Sequence, residues 1–246
     1  AKLGLERSCM AMDINLGCSG WVYGLSVLSS LMQTGNIKKA ILLAGDARKQ
    51  AKEELDQLFG YACTATALEY SKEAKPFYFD LGTDGTGYDA IIRPGGGCRN
   101  QFNEDSLKLE LCEDGRKRHA IQTRMKGMDV FAFGITTAPK SIKKLTANYE
   151  MDYTSFDYVI LHQANYKMTE TIRKKLKLDA EKMPYSMLHF GNTSSASIPL
   201  TIVTQLKGKI EDKPTKIIGC AFGVGLSWGT VAFETEHLLI SELVEV

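Results

Sequence analysis

The chain has 246 residues and a mass of 27.2 kDa, with 44% hydrophobic and 24% charged residues, enough apolar material for a sizeable core and a composition that excludes disordered and collagen-like classes. A formal net charge of +1 excludes a global attraction to nucleic acid or an anionic membrane, so a charged partner has to be met by a local patch. Six cysteines with no Cys-x-x-Cys pair are too sparse for a disulfide scaffold and predict free thiols in a reducing cytoplasm. The opening AKLGLERSCM reads as neither signal peptide nor anchor, and no apolar run is long enough to span a bilayer, which predicts a cytoplasmic protein without membrane insertion.

In chain order, residues 10–16 (MAMDINL) read as a buried strand that runs into Gly17-Cys18-Ser19-Gly20 and then a helix whose apolar face is Trp21, Leu25, Leu28 and Met32, stopped by Gly35. Residues 39–45 (KAILLAG) predict a second buried strand, followed by a charged, helix-compatible stretch over 48–58. Residues 59–70 and 77–81 predict a strand pair, 82–97 a Gly-rich loop, and 99–118 a polar, exposed excursion. An amphipathic helix is expected over 128–149, interrupted near Pro139, then a strand at 156–161 (FDYVIL) and a helix over 166–178. A further strand–turn–helix–strand unit is expected from MLHFGNTSSASIPLTIVTQLKGK, TKIIGCAF (215–222) and LSWGTVAF (226–233).

The first and last of these units resemble each other. Gly17 and Gly191 each open a helix with small residues behind them, Gly35 and Gly208 close those helices, and KKAILLAGD mirrors TKIIGCAFG. This predicts a duplicated α/β unit with Cys18 and Asn192 at corresponding helix N-termini. Alternating strands and helices predict a layered α/β/α architecture with functional residues on loops at strand ends. The expected division is 1–126, carrying the cysteine, and 127–246, carrying His162 and Asn192. The first half has no counterpart of the strand–helix region over 128–178, so the chain reads as beginning within a fold.

Cys18, between glycines at a strand-to-helix turn, stands where a helix's free N–H groups lower a thiol pKa. On the turn alone, a nucleophile and a small buried cysteine are both open readings. His162, in LHQAN at a strand end, is a natural donor or base but equally a satisfied core histidine. Asn192, in HFGNTSSAS, has the setting of a helix cap. Three such residues on three strand-end turns weigh more than any one of them.

The segments DINLGCSGWVYGLSV, LHQAN, HFGNTSSASIP and AFGVGLSWG together resemble, in this order, the motifs of beta-ketoacyl-acyl carrier protein synthase III of the thiolase-like superfamily; GTDGTGYDAIIRPGGG and MKGMDVF fit the same pattern. The resemblance extends over essentially the whole chain. It implies a thiolase-like α/β/α/β/α fold of two duplicated halves, the first lacking its N-terminal part, and a homodimer. It also implies that Cys18 takes an acyl group from acyl-CoA while His162 and Asn192 bind the thioester carbonyl of malonyl-acyl carrier protein during decarboxylation. The residue types suit that chemistry, because a histidine N–H and an amide N–H stabilise the charge that builds on the enolate oxygen. By the same resemblance the backbone N–H groups of Cys18 and Val224 form an oxyanion hole, and Lys167, Lys174 and Lys175 dock the acidic carrier protein or CoA phosphates, against the plain reading of a solvated basic helix face.

Two departures stand out. Val224 occupies a place where many relatives have glycine, and Tyr61 in FGYACTATALE replaces the usual acidic residue, with Cys63 after it read as a packing residue. No metal, flavin or nucleotide motif is visible, so no cofactor is expected. The leading function is condensation that starts an acyl chain. The alternatives are transfer of the Cys18 acyl group to a hydroxyl or amine in secondary metabolism, and a non-catalytic scaffold or regulatory subunit.

Overall fold

The computed structural model describes residues 2–46 and 58–245, and the helix expected over 48–58 lies almost wholly outside the described residues. The elements run α1 (Gly20–Gln33), β1 (Lys39–Gly45), β2 (Cys63–Glu69), β3 (Tyr78–Thr83), four two-residue strands β4 (Ile91–Ile92), β5 (Glu110–Leu111), β6 (Lys117–Arg118) and β7 (Arg124–Met125), then α2 (Gly127–Asn148), β8 (Tyr158–Leu161), α3 (Tyr166–Leu176), α4 (Met187–Phe190), α5 (Ser197–Thr201) with a π-helical turn at Ile202–Leu206, β9 (Thr215–Gly223) and β10 (Ser227–Thr235).

The central sheet has the order β3-β10-β9-β8, parallel between β8 and β9 and antiparallel elsewhere. It is covered on both faces, and β9 shows why its sequence reads as one continuous apolar run. Ile218, Cys220 and Phe222 join the core beneath α2 and α3, while Ile217 and Ala221 join the core beneath α1 and α5. Successive side chains point to opposite faces, so a strand buried twice needs no polar alternation, and each buried Ile or Phe among them contributes about 1.5–3 kcal/mol.

A second, two-stranded sheet pairs β1 with β2 antiparallel. α1 lies between the two sheets. The ring of Trp21 packs at Gly219 of β9 while its Nε1–H donates to Thr66 Oγ1 of β2 at 2.9 Å. Gly24 lets the helix approach Leu42 so closely that an added Cβ would sit 2.5 Å from a Leu42 methyl. The layer order is therefore β1–β2, α1 with α5, the four-stranded sheet, and α2 with α3. The duplicated unit is visible as a central helix followed by an antiparallel strand pair, α1-β1-β2 and α5-β9-β10. β3, from the N-terminal side of residue 126, completes the sheet of the C-terminal side.

Several expectations are corrected. Residues 10–16 are not a strand: no described strand lies beside them, and Met10, Met12 and Ile14 are exposed, so the apolar pattern has no ladder to join. The strands within 59–70 and 77–81 exist but pair with β1 and β10 rather than with each other. Residues 187–190 form a helical turn, not a strand. α2 continues through Pro139. Proline removes the N–H that would bond the carbonyl four residues back, and Lys175 Nζ supplies the missing donor to the Ile135 carbonyl at 2.9 Å. The excursion over 99–118 is mostly exposed, as expected, and holds the β5–β6 hairpin.

Candidate active site

Cys18 sits in the turn that leads into α1, against the C-terminal end of β9. The contact is close enough to dictate its neighbours. A Cβ on Gly223 would lie 2.7 Å from Cys18 Sγ, and a Cβ on Gly17 would lie 2.4 Å from a Val224 methyl, so both positions require glycine. The side chain of Val224 is thus accommodated over Gly17, while its backbone acts to lower the pKa of the Cys18 thiol. Ser227 Oγ donates to the Val224 carbonyl at 2.8 Å, and having spent its proton there it accepts from the buried Ser19 hydroxyl at 2.7 Å. That pair ties the first residue after Cys18 to the loop that carries the Val224 amide.

His162 follows β8 directly and is 2% exposed. Its backbone N–H extends the sheet by donating to the Cys220 carbonyl at 2.8 Å, its Nδ1 lies 2.8 Å from Ser197 Oγ, and its ring meets Phe222 edge-on. The remainder of LHQAN serves the frame. Gln163, fully buried, donates to the Leu161 carbonyl and accepts from the Ser186 and Met187 amides, whereas Asn165 caps α3 by accepting from the Met168 amide at 2.9 Å.

Asn192 is held at three points. Its N–H donates to the Leu58 carbonyl at 2.8 Å, its carbonyl accepts from the Gly60 N–H at 3.0 Å, and its Oδ1 accepts from the Ser194 N–H at 2.9 Å. Gly60 belongs to the FGY segment, and a Cβ there would collide with the Phe190 carbonyl. The Oδ1 contact is a local turn rather than a helix cap, since the helical turn that follows starts from Thr193 without a side-chain cap. Because a backbone N–H can only meet the amide oxygen, the Nδ2 donors are left for another partner.

Ser194, at φ 53°, bears on all three candidates: its N–H donates to Asn192 Oδ1, its hydroxyl acts to lower the Cys18 pKa, and its backbone acts to raise that of His162. Nothing in the chain reading singled out Ser194, Ser197 or Gly223. The only signal available was the density of small hydroxyl residues in GNTSSAS and the glycines of AFGVG.

Desolvation runs against the expected acidification of the thiol, although Cys18 itself is only half-buried. The Cys18 pKa is pushed up to about 11, because desolvation outweighs the hydrogen bonds from Val224, the Cys18 backbone and Ser194. Desolvation also lowers His162 to about 4, partly opposed by the Ser194 backbone. At neutral pH the resting site therefore holds a neutral thiol and a neutral imidazole, not an ion pair.

The three lysines on α3 differ. Lys167, Lys174 and Lys175 are all exposed, but Lys175 is bonded to Ile135 and Lys167 lies over the Phe131 ring at 5.8 Å. Arg173 is engaged by Glu170 and the Leu178 carbonyl. Cys63 is exposed on the outward face of β2 rather than packed, and Tyr61 is exposed as well. Among the described residues no group of three or more His, Cys, Asp or Glu is arranged to hold a metal ion, and no helix is long and apolar enough to cross a membrane.

Comparison with known proteins bears on the same elements. Residues 12–85 match the family model described as 3-oxoacyl-[acyl-carrier-protein (ACP)] synthase III, and residues 146–235 match the C-terminal model of that family. The chain is 32% identical to a beta-ketoacyl-[acyl-carrier-protein] synthase III of Synechocystis sp., over 92% of the chain and 67% of the relative. It is 31% identical to a putative 3-oxoacyl-[acyl-carrier-protein] synthase 3 of Campylobacter jejuni, over 98% of the chain and 68% of the relative. A crystal structure of a 3-oxoacyl-(acyl-carrier protein) synthase from Burkholderia xenovorans superposes with a TM-score of 0.88 at 34% identity, over 100% of this chain and 70% of that one. With matching models on both sides of the site and this likeness of sequence and fold, the chain belongs to the 3-oxoacyl-[acyl-carrier-protein] synthase III family of thiolase-like acyl-transferring enzymes.

Proposed function

We propose that Cys18 attacks the thioester of an acyl-CoA, releases the CoA thiol and carries the acyl group, and that His162 and Asn192 then hold the thioester oxygen of malonyl-acyl carrier protein while it loses carbon dioxide. The enolate carbon attacks the acyl carbonyl, the Cys18 thiolate leaves, and the product is a 3-oxoacyl-acyl carrier protein, the first condensation product of fatty-acid synthesis. The reaction balances without a redox cofactor.

The observation that carries this reading is that His162 Nδ1 is taken by Ser197 and Asn192 Oδ1 by the Ser194 N–H, which leaves each side chain a neutral N–H donor. An imidazole held near pKa 4 cannot act as a resting cation, and an amide whose oxygen is taken by Ser194 offers N–H groups. Such donors suit an oxygen that gains negative charge only as carbon dioxide departs. The Val224 and Cys18 backbone N–H groups supply the corresponding oxyanion hole for acyl transfer, a reading supported by both backbones acting to lower the Cys18 pKa. Lys174, exposed on α3, is the docking lysine most available to an acidic carrier protein or CoA phosphate, with Lys167 beside it; Lys175 contributes less because of its bond to Ile135. A homodimer and a cytoplasmic setting complete the proposal, the latter supported by six unbridged cysteines.

The test is a coupled pair of assays. Mass spectrometry should detect an acetyl adduct on Cys18 after acetyl-CoA, and subsequent malonyl-acyl carrier protein should release carbon dioxide and give the 3-oxoacyl product. Acylation followed by transfer to an added alcohol or amine, without carbon dioxide, would favour the acyltransferase reading; no acylation would favour a non-catalytic subunit.

A further inference from the structure

Behind His162 runs a closed circuit of buried hydrogen bonds. His162 Nδ1 is 2.8 Å from Ser197 Oγ, the Ser197 carbonyl accepts from Thr201 Oγ1 at 2.8 Å, and Thr201 Oγ1 lies 2.7 Å from Ser186 Oγ. The Ser186 N–H donates to Gln163 Oε1 at 3.1 Å, and Gln163 Nε2 donates to the Leu161 carbonyl at 2.8 Å, back at the residue before the histidine. Gln163, Ser186 and Thr201 are fully buried and Ser197 is 1% exposed, so bulk solvent does not reach these groups.

Counting protons around the circuit assigns them. Thr201 spends its single hydroxyl proton on the Ser197 carbonyl, so Ser186 is the donor to Thr201. Among the described residues, the Ser197 hydroxyl has His162 Nδ1 as its hydrogen-bond partner. Were the ring proton on Nδ1, that N–H would donate to Ser197 and the hydroxyl's own proton would be buried without an acceptor, which is costly. Donation by Ser197 to Nδ1 strands nothing and leaves the ring proton on Nε2.

We infer that Ser197 is a positioning residue for decarboxylation: by donating to Nδ1 it fixes His162 as the Nε2–H tautomer, the form that can donate to the oxygen of a malonyl thioester. This rests on the function proposed above for His162, and it adds a member of α5 that touches neither the acyl group nor the thiol. Gln163, Ser186 and Thr201 hold the backbone of both partners, joining the end of β8 to α5.

The test has two arms. In protein labelled with 15N-histidine, two-bond nitrogen–proton correlations at neutral pH should show His162 Nδ1 with a pyridine-like shift and Nε2 with a pyrrole-like shift. The reverse assignment overturns the inference, and because this uses the wild-type chain it does not depend on any variant folding. In Ser197→Ala, acylation of Cys18 by acetyl-CoA should stay within about twofold while decarboxylation of malonyl-acyl carrier protein on the acylated enzyme slows about ten- to a hundredfold, in kcat rather than KM. Undiminished decarboxylation in a folded Ser197→Ala protein also overturns it. Failure of the wild type itself to decarboxylate after acylation would instead refute the proposed function, while the nitrogen shifts would still decide the tautomer.

Discussion

The two sides of the site are built by different means. On the thiol side, Cys18 is placed by backbone approach: Gly223 and Gly17 have no side chains because sulfur and a valine methyl fill the space. On the other side, His162 and Asn192 are placed by hydrogen bonds, His162 to the Ser197 hydroxyl and the Cys220 carbonyl, Asn192 to the Leu58 carbonyl and the Gly60 and Ser194 amides. The first arrangement makes Cys18 sensitive to added volume, the second makes His162 and Asn192 sensitive to lost donors and acceptors. Since the supports share little beyond Ser194, the two half-reactions should be separable by substitution.

The largest separation is expected from His162→Ala and Asn192→Ala. Each removes one donor to the developing enolate and should slow decarboxylation about 10²–10³-fold, with Cys18 acylation nearly unchanged in single-turnover assays. Equal loss of both steps would break the comparison. Gly223→Ala should do the reverse. Its Cβ would displace Cys18 Sγ, which we expect to lower the acylation rate by about a hundredfold, while decarboxylation by whatever enzyme is acylated stays close to wild type.

A smaller, pH-dependent difference follows from burial. Because the folded chain holds His162 near pKa 4, the unfolded chain binds the extra proton between its own histidine pKa, about 6.5, and 4. Stability should therefore fall as pH drops through that window, and thermal melts of His162→Gln should show a shallower fall. For Cys18, held near 11, the acylation rate should keep rising with pH through 9 without a plateau near neutrality. A plateau at neutral pH would mean an ion-paired thiolate.

The smallest expected effect is on α3. Lys174→Glu should raise the KM for carrier protein about three- to tenfold and reduce its salt dependence. Lys175→Met should leave that KM nearly unchanged and instead cost about 0.5–1.5 kcal/mol of stability, read in denaturant melts, because the Ile135 carbonyl beside Pro139 loses its donor.

What was legible in the sequence follows the same physics. α1 and α3 were readable because a helix satisfies its pattern within its own residues, and β8, β9 and β10 because each carries a largely apolar run buried on both faces. The stretch 10–16 misled because an apolar pattern does not say whether a strand exists to pair with it, and 187–190 because a four-residue apolar run suits a helical turn equally well. Pro139 misled because the donor that rescues the helix, Lys175, is supplied by another helix. At the site, the motifs singled out Cys18, His162, Asn192 and Val224. The helix terminus by itself points to an acidic thiol, and the desolvation that acts the other way arises only in the packed site. Ser197 was hidden for a related reason: its partner lies 35 residues away and its role depends on where each hydroxyl spends its one proton.

The account stands on Cys18 as the acyl-bearing nucleophile. Intact-mass and peptide-level spectrometry of the chain after exposure to acetyl-CoA tests it most directly. The account predicts one acetyl group, located on the peptide containing Cys18, and none in Cys18→Ala. Absence of an adduct on the wild type, or an adduct that persists in Cys18→Ala, for example on exposed Cys63, would contradict it.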